Sequence, residues 1–354
     1  MDIAAFNKIL EIAFEKRVSD VHFEVDNPPL FRARGQLVRA KLPDLLAEDT
    51  KFIASTIMEQ NGRELPANFS EFDVSYALPA GGRFRVSIFR QRGKVGIIMR
   101  AIPPHIGSFQ DLNLPEVLGE IVKAPNGLIL VTGPTGNGKS TTLAAMIRCI
   151  NDASNFNIIT VEDPIEFLFS SSKSCIIQRE VGIDTEGFAT ALKAAMRMDP
   201  DVIMVGEMRD LETVDSCIKA AETGHLVFST LHTQNASSTV NRLVGNFPPE
   251  SQEIIRQRLA DILVAIVSLR LIKDKTGEKV IPVVEVMRST TTIQACIREG
   301  RLDEIEKHIE KGTAYHMQSM DQHLIELCKN DIITLEEAKR VSHSTDLERK
   351  LNFT

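Results

Sequence analysis

Gly133-Pro134-Thr135-Gly136-Asn137-Gly138-Lys139-Ser140 satisfies the pattern G-x-x-x-x-G-K-[ST] at every position. An apolar run, Leu128 to Val131, precedes it, and a helical pattern from Thr141 to Ile150 follows. Glycines at these places let backbone N–H groups turn inward around phosphates, and the helix N-terminus adds its positive end. Lys139 is expected to reach the β- and γ-phosphates and Ser140 to ligate Mg²⁺. ATP and Mg²⁺ are thus the expected cofactors, with Gly133 to Thr141 as the binding segment.

Three further blocks carry groups that could act on a bound nucleotide. Val202-Ile203-Met204-Val205-Gly206-Glu207 is an apolar run closed by a carboxylate. In a P-loop protein the strand beside the loop is expected to deliver such a group, and a glutamate there can act as general base on water. Ile158 to Val161 ends in the paired carboxylates Glu162 and Asp163, either of which could hold Mg²⁺ or a water. His225 and His232 bracket the apolar run Leu226 to Leu231, and both are read as sensors of the γ-phosphate.

The elements that must position these groups follow from periodicity. Ile3, Phe6, Ile9, Leu10, Ala13 and Phe14 recur at helical spacing, and Val21, Phe23 and Val25 then alternate with polar residues. Leu30, Arg32 and Arg34-Gly35-Gln36 suggest a hairpin, and Thr50 to Asn61 a second helix. Phe72, Val74 and Tyr76, then Phe84, Val86 and Ile88, then Val95 to Met99 read as three more strands. This is a small α+β unit with an antiparallel sheet. Pro103-Pro104 through Ser108 is the candidate linker, because paired prolines resist both helix and ladder. Beyond it, the unbroken apolar runs 127–132, 158–161, 202–205 and 226–229 suit a parallel sheet buried on both faces. From Ser289 onward four helical patterns with charged faces follow.

Composition bounds the rest. A chain of 354 residues exceeds one typical domain of ~100–150 residues. Its net charge of −7, and the absence of Trp, argue against a protein that coats nucleic acid. Five scattered cysteines with no Cys-x-x-Cys pair are neither a disulfide framework nor a zinc ribbon. The start Met1-Asp2-Ile3 shows no basic segment before an apolar run, so no signal peptide is expected. The most apolar stretch, Leu259 to Ile272, is broken by Asp261 and Arg270 and falls short of the ~20 residues of a membrane span. A cytoplasmic location is the expectation.

In this order, the four blocks resemble those of the secretion ATPase superfamily of bacterial type II secretion and type IV pili. The P-loop is similar to its Walker A motif, Thr160 to Glu166 to its Asp box, Asp201 to Asp210 to its atypical Walker B, and Thr223 to Thr233 to its His box. Ser19-Asp20-Val21-His22 and Gly82-Arg83-Phe84-Arg85-Val86 resemble its N-terminal segments. The absence of a tetracysteine insertion, the short N-terminal region and the tail around Cys296 to Gly300 and Met317 to Gln322 resemble the pilus-retraction branch. Asn137 stands where that family usually has Ser or Thr.

The resemblance implies a PAS-like α+β domain over 1–102, a linker over 103–114, a RecA-like ATPase domain over 115–288 and a helical subdomain over 289–354. It implies a homo-hexamer in which Arg85 and Arg100 act in trans as fingers on the nucleotide, and an inner-membrane platform protein as partner. Glu207 would activate water, Glu162 would support Mg²⁺ or water, and His232 and His225 would sense the γ-phosphate. The implied activity is ATP hydrolysis driving pilus retraction. The alternatives are an assembly ATPase of the same superfamily and a RecA-like nucleic-acid motor, whose ATPase DNA would stimulate in a salt-dependent way.

Overall fold

A computed structural model describes residues 1–33, 35–102, 106–342, 347, 348 and 351. Arg34 of the expected hairpin, the prolines Pro103 and Pro104 of the expected linker, and residues 343–346, 349, 350 and 352–354 of the tail lie outside the described residues. The chain divides into two compact units. One comprises residues 1–105, 163–168 and 180–184; the other comprises 106–162, 169–179 and 185–354.

In the first unit, α1 (Ile3–Glu15) starts where the Asp2 side chain accepts a hydrogen bond from the Ala5 N–H. Then come β1 (Asp20–Phe23), β2 (Leu30–Ala33), β3 (Gln36–Arg39), α2 (Ala47–Gln60), β4 (Glu71–Ala77), β5 (Arg83–Gln91) and β6 (Lys94–Ile102). The six strands form one sheet in the order β3-β2-β1-β6-β5-β4, and every neighbouring pair is antiparallel. Alternation sends Phe84, Val86 and Ile88 of β5 into a core with Phe6, Leu10, Ile53 and Ile57 from the two helices. Along another line of register the sheet sets Arg32, Asp20, Arg100 and Arg85 side by side on adjacent strands.

The second unit is α/β. Its elements are α3 (Leu118–Ile121), β7 (Gly127–Thr132), α4 (Lys139–Ala153), β8 (Asn157–Glu162), β9 (Cys175–Glu180), α5 (Phe188–Ala195), β10 (Val202–Val205), α6 (Leu211–Glu222), β11 (Leu226–Leu231), α7 (Ala236–Gly245), α8 (Gln252–Ile262), β12 (Leu263–Lys273) and β13 (Val280–Arg288). The helices α9 (Thr291–Glu299), α10 (Ile305–Glu310), α11 (Met320–Lys329) and α12 (Leu335–Val341) follow among the described residues. The sheet order is β13-β12-β7-β11-β10-β8-β9. From β12 to β8 all neighbours run parallel, and β13 returns antiparallel to β12. Apolar clusters cover both faces, one with Leu128, Leu130, Val205 and Val227, the other with Ile129, Val131, Met204 and Phe228. Adjacent residues of one strand thus feed opposite cores, which is why these strands read as unbroken apolar runs.

One expectation needs correction. The strand beside the P-loop strand is β11, and β10 with its Glu207 lies one place further out. The apolar stretch Leu259 to Ile272 is divided between α8, which ends at Ile262, and β12, which begins at Leu263. The strands β9, β12 and β13 were not legible in the sequence. Their apolar residues alternate or merge with helical spacing; β12 is placed by pairing with the distant β7, while β9 and β13 each pair with the strand before them, β8 and β12.

Candidate functional site

The P-loop runs from the end of β7 into α4. Gly133 has φ +143° and lies so close to β12 that a Cβ there would sit 2.4 Å from the Leu269 carbonyl oxygen. Gly138, at φ +83°, is the N-cap of α4, and no side chain caps that helix. The first turn of α4 therefore presents its N–H groups with the positive end of the helix, as an anion site requires. Lys139 is buried, and its Nζ donates to the carbonyl oxygens of Gly133 and Pro134 at 2.9 and 3.1 Å. Asn137 has a structural part to play: its Oδ1 accepts from the Leu271 N–H of β12 at 2.8 Å, and its Nδ2 donates to the Thr135 carbonyl at 3.2 Å. A serine is too short to make both contacts.

His232 immediately follows β11, so the strand order sets it between the P-loop and the end of β10. Its Nδ1 lies 3.4 Å from both Thr135 Oγ1 and Lys139 Nζ, and its Nε2 lies 3.3 Å from Glu207 Oε2. Glu207 is largely buried, and its other oxygen pairs with Arg209. The loop carrying Glu207 is tied to both neighbouring strands. The Gly206 N–H donates to the Val161 carbonyl at 2.8 Å, and Thr230 Oγ1 donates to the Gly206 carbonyl at 2.6 Å. Glu162 ends β8, is buried, and accepts from Thr160 Oγ1 at 2.7 Å and Gln178 Nε2 at 3.0 Å.

The parallel sheet thus gathers the P-loop, His232 and Glu207 at the carboxyl ends of its strands, where open α/β sheets place their ligands. His225 is not among them, a correction to its reading as a phosphate sensor. It precedes β11, opposite the start of β7, and the six-residue strand Leu226–Leu231 separates it from His232, about 23 Å of extended chain. Its Nδ1 sits 2.9 Å from the Ala220 carbonyl and 3.1 Å from Thr223 Oγ1, at the end of α6. In the first unit, Arg85 and Arg100 face each other across β5 and β6. Arg100 Nε donates to the buried Asp20 at 2.9 Å, and Arg85 lies 3.7 Å from Glu166.

Sequence reasoning missed Arg209, although it stands in the same block as Glu207. It also missed Gln178, which no motif marks and which only the pairing of β9 with β8 brings to Glu162.

The family described as type II/IV secretion system protein matches residues 3–349. A twitching motility protein of Neisseria gonorrhoeae is 41% identical over 318 residues, covering 90% of this chain and 85% of that protein. The type IV pilus retraction ATPase PilT of Pseudomonas aeruginosa is 40% identical over 339 residues, covering 96% and 97%. The crystal structure of the pilus retraction motor PilT with bound ADP superposes with a TM-score of 0.90 at 42% identity, over the whole of both chains. The fold is that of a RecA-like P-loop ATPase, and the chain belongs to the type II/IV secretion system protein family.

Proposed function

We propose that this protein is a motor that hydrolyses ATP to drive type IV pilus retraction. The observation that carries the ATPase reading is the imidazole of His232, set between Lys139 and Thr135 of the P-loop on one side and Glu207 on the other. A γ-phosphate held by Lys139 and the α4 amides would meet Glu207, positioned to take the proton of an attacking water, and His232, able to register whether that phosphate is present. The similarity to retraction ATPases over nearly the whole chain supports retraction as the work done.

The residues fit a magnesium nucleotide. An uncapped helix N-terminus and a buried ammonium suit a polyphosphate, and the Ser140 hydroxyl with carboxylates at the sheet's edge offers a hard cation its oxygen ligands. Ser140 would hold Mg²⁺, and Glu162 would support it or the water. When bound, the ion neutralises charge on the β- and γ-phosphate oxygens.

In this reading residues 1–102 form the PAS-like domain, 103–114 the linker, 115–288 the ATPase domain and 289–354 the helical subdomain. Six copies form a ring in the cytoplasm, held at the inner membrane by a platform protein. Arg85 and Arg100 then serve a neighbouring copy's nucleotide, where a guanidinium matches the charge on the γ-phosphoryl oxygens. No helix among the described residues is long and apolar enough to cross a membrane.

Glu207→Gln is expected to lower ATP turnover by ~10²-fold or more, and turnover within a few-fold of wild type would remove Glu207 from the chemistry. Arg85→Ala with full turnover would end its role as a finger. Cells lacking the gene should carry many surface pili and fail to twitch. Bald cells would point to assembly instead.

A further inference from the structure

Glu285 lies in the middle of β13, 4% exposed, opposite Ser268 of β12 in the antiparallel register. Its Oε1 accepts two hydrogen bonds, from the Ala236 backbone N–H at 2.8 Å and from the Ser268 hydroxyl at 2.9 Å. Neither partner is a cation. Burial pushes its carboxyl up to about 7, the nearby Glu306 and Asp321 push the same way, and the two hydrogen bonds oppose them. A carboxyl buried on these terms is a costly way to fill space, and a well-packed apolar side chain often does as well or better for stability alone. The bonds it makes are what distinguish it.

Both bonds lead to the nucleotide site. Ala236 is the first residue of α7 and closes the loop His232–Asn235. The rest of that loop is held by the Thr233 and Thr239 hydroxyls, 2.6 Å apart, and by Asn235 capping Ser238 at 2.8 Å. Ser268 stands opposite Thr132, the last residue of the P-loop strand. The next residue, Leu269, packs its carbonyl against Gly133, and Leu271 bonds Asn137. One carboxyl oxygen therefore joins the helix that ends the histidine loop to the strand that backs the P-loop.

We propose that Glu285 is a positioning residue of the ATPase site, which through Ala236 and Ser268 fixes the gap where His232 meets Lys139. This rests on the reading of His232 given above. An error of about 1 Å in such a gap can cost ~10²-fold in rate.

The test is steady-state ATPase kinetics of the full chain, with folding checked by circular dichroism. Leucine matches glutamate in size but accepts no hydrogen bond. Glu285→Leu is expected to lower kcat by ~10-fold or more while KM for ATP moves less than about threefold. Both bonds end on Oε1, so the amide oxygen of Glu285→Gln should restore most of the lost turnover. In a His232→Ala background, Glu285→Leu should cost less than about twofold more, since coupled residues are not additive. Full kcat in Glu285→Leu, a loss confined to KM, or an equal loss in both backgrounds would overturn the proposal. Wild-type turnover in His232→Ala alone would instead overturn the reading of His232. Should Glu285→Leu fail to fold, Ser268→Ala takes its place, with about a twofold to fivefold loss of kcat expected; full kcat in that variant would overturn the proposal.

Discussion

His225 and His232 stand at opposite ends of one strand, and only one of them meets the P-loop. Both flank the same apolar run, and the sequence offers both as phosphate sensors, His232 ahead of His225. In a parallel sheet every strand ends at the same edge, so the loops after the strands share one neighbourhood and the loops before them share another. His232, Glu207 and the P-loop follow β11, β10 and β7 respectively. His225 precedes β11, and its ring sits at the end of α6 near the Ala220 carbonyl. Position relative to the strand's direction, more than residue type, separates a residue of the site from a residue of the scaffold.

Substitutions along that strand and its neighbours can break or sharpen this contrast. Lys139→Ala should have the largest effect, a loss of ATPase turnover of ~10³-fold, because it removes the buried cation of the phosphate cradle. His232→Ala should lower kcat by ~10- to 100-fold, measured by phosphate release. A value within twofold of wild type would erase the difference between the strand's two ends. Asn137→Ala should raise KM for ATP by about threefold to tenfold, as it leaves the Leu271 N–H without its partner and frees the P-loop from β12. His225→Ala should leave turnover within about twofold and cost ~1 kcal/mol in urea denaturation, the worth of one hydrogen bond. A loss of turnover comparable to that of His232→Ala would show that the far edge of the sheet matters to the chemistry.

Asn137 and Glu285 extend the lesson. The P-loop pattern leaves position 137 open, so its asparagine reads as a mere departure from the usual Ser or Thr. The strand β12 explains it, because a side chain with both an acceptor and a donor pins the loop to Leu271 and to its own carbonyls. Glu285 carried no signal at all in the sequence. It is a charged residue in an apolar strand, and its partners are 17 and 49 residues away.

Local chemistry and local periodicity decided much of this protein before any fold was known. The P-loop is eight consecutive residues whose backbone makes the site, so its meaning is contained in the segment. The alternation of β4 and β5 and the unbroken runs of β7, β8, β10 and β11 report one-sided and two-sided burial directly. Only the tertiary structure decided the strand order, which put β11 and its His232 beside the P-loop and moved Glu207 one strand out. It alone supplied β12 and β13, the strands that hold Gly133, Asn137 and the histidine loop in place. β13 pairs with β12 across a short turn, but β12 takes its place by pairing with the distant β7, and no local pattern encodes that pairing.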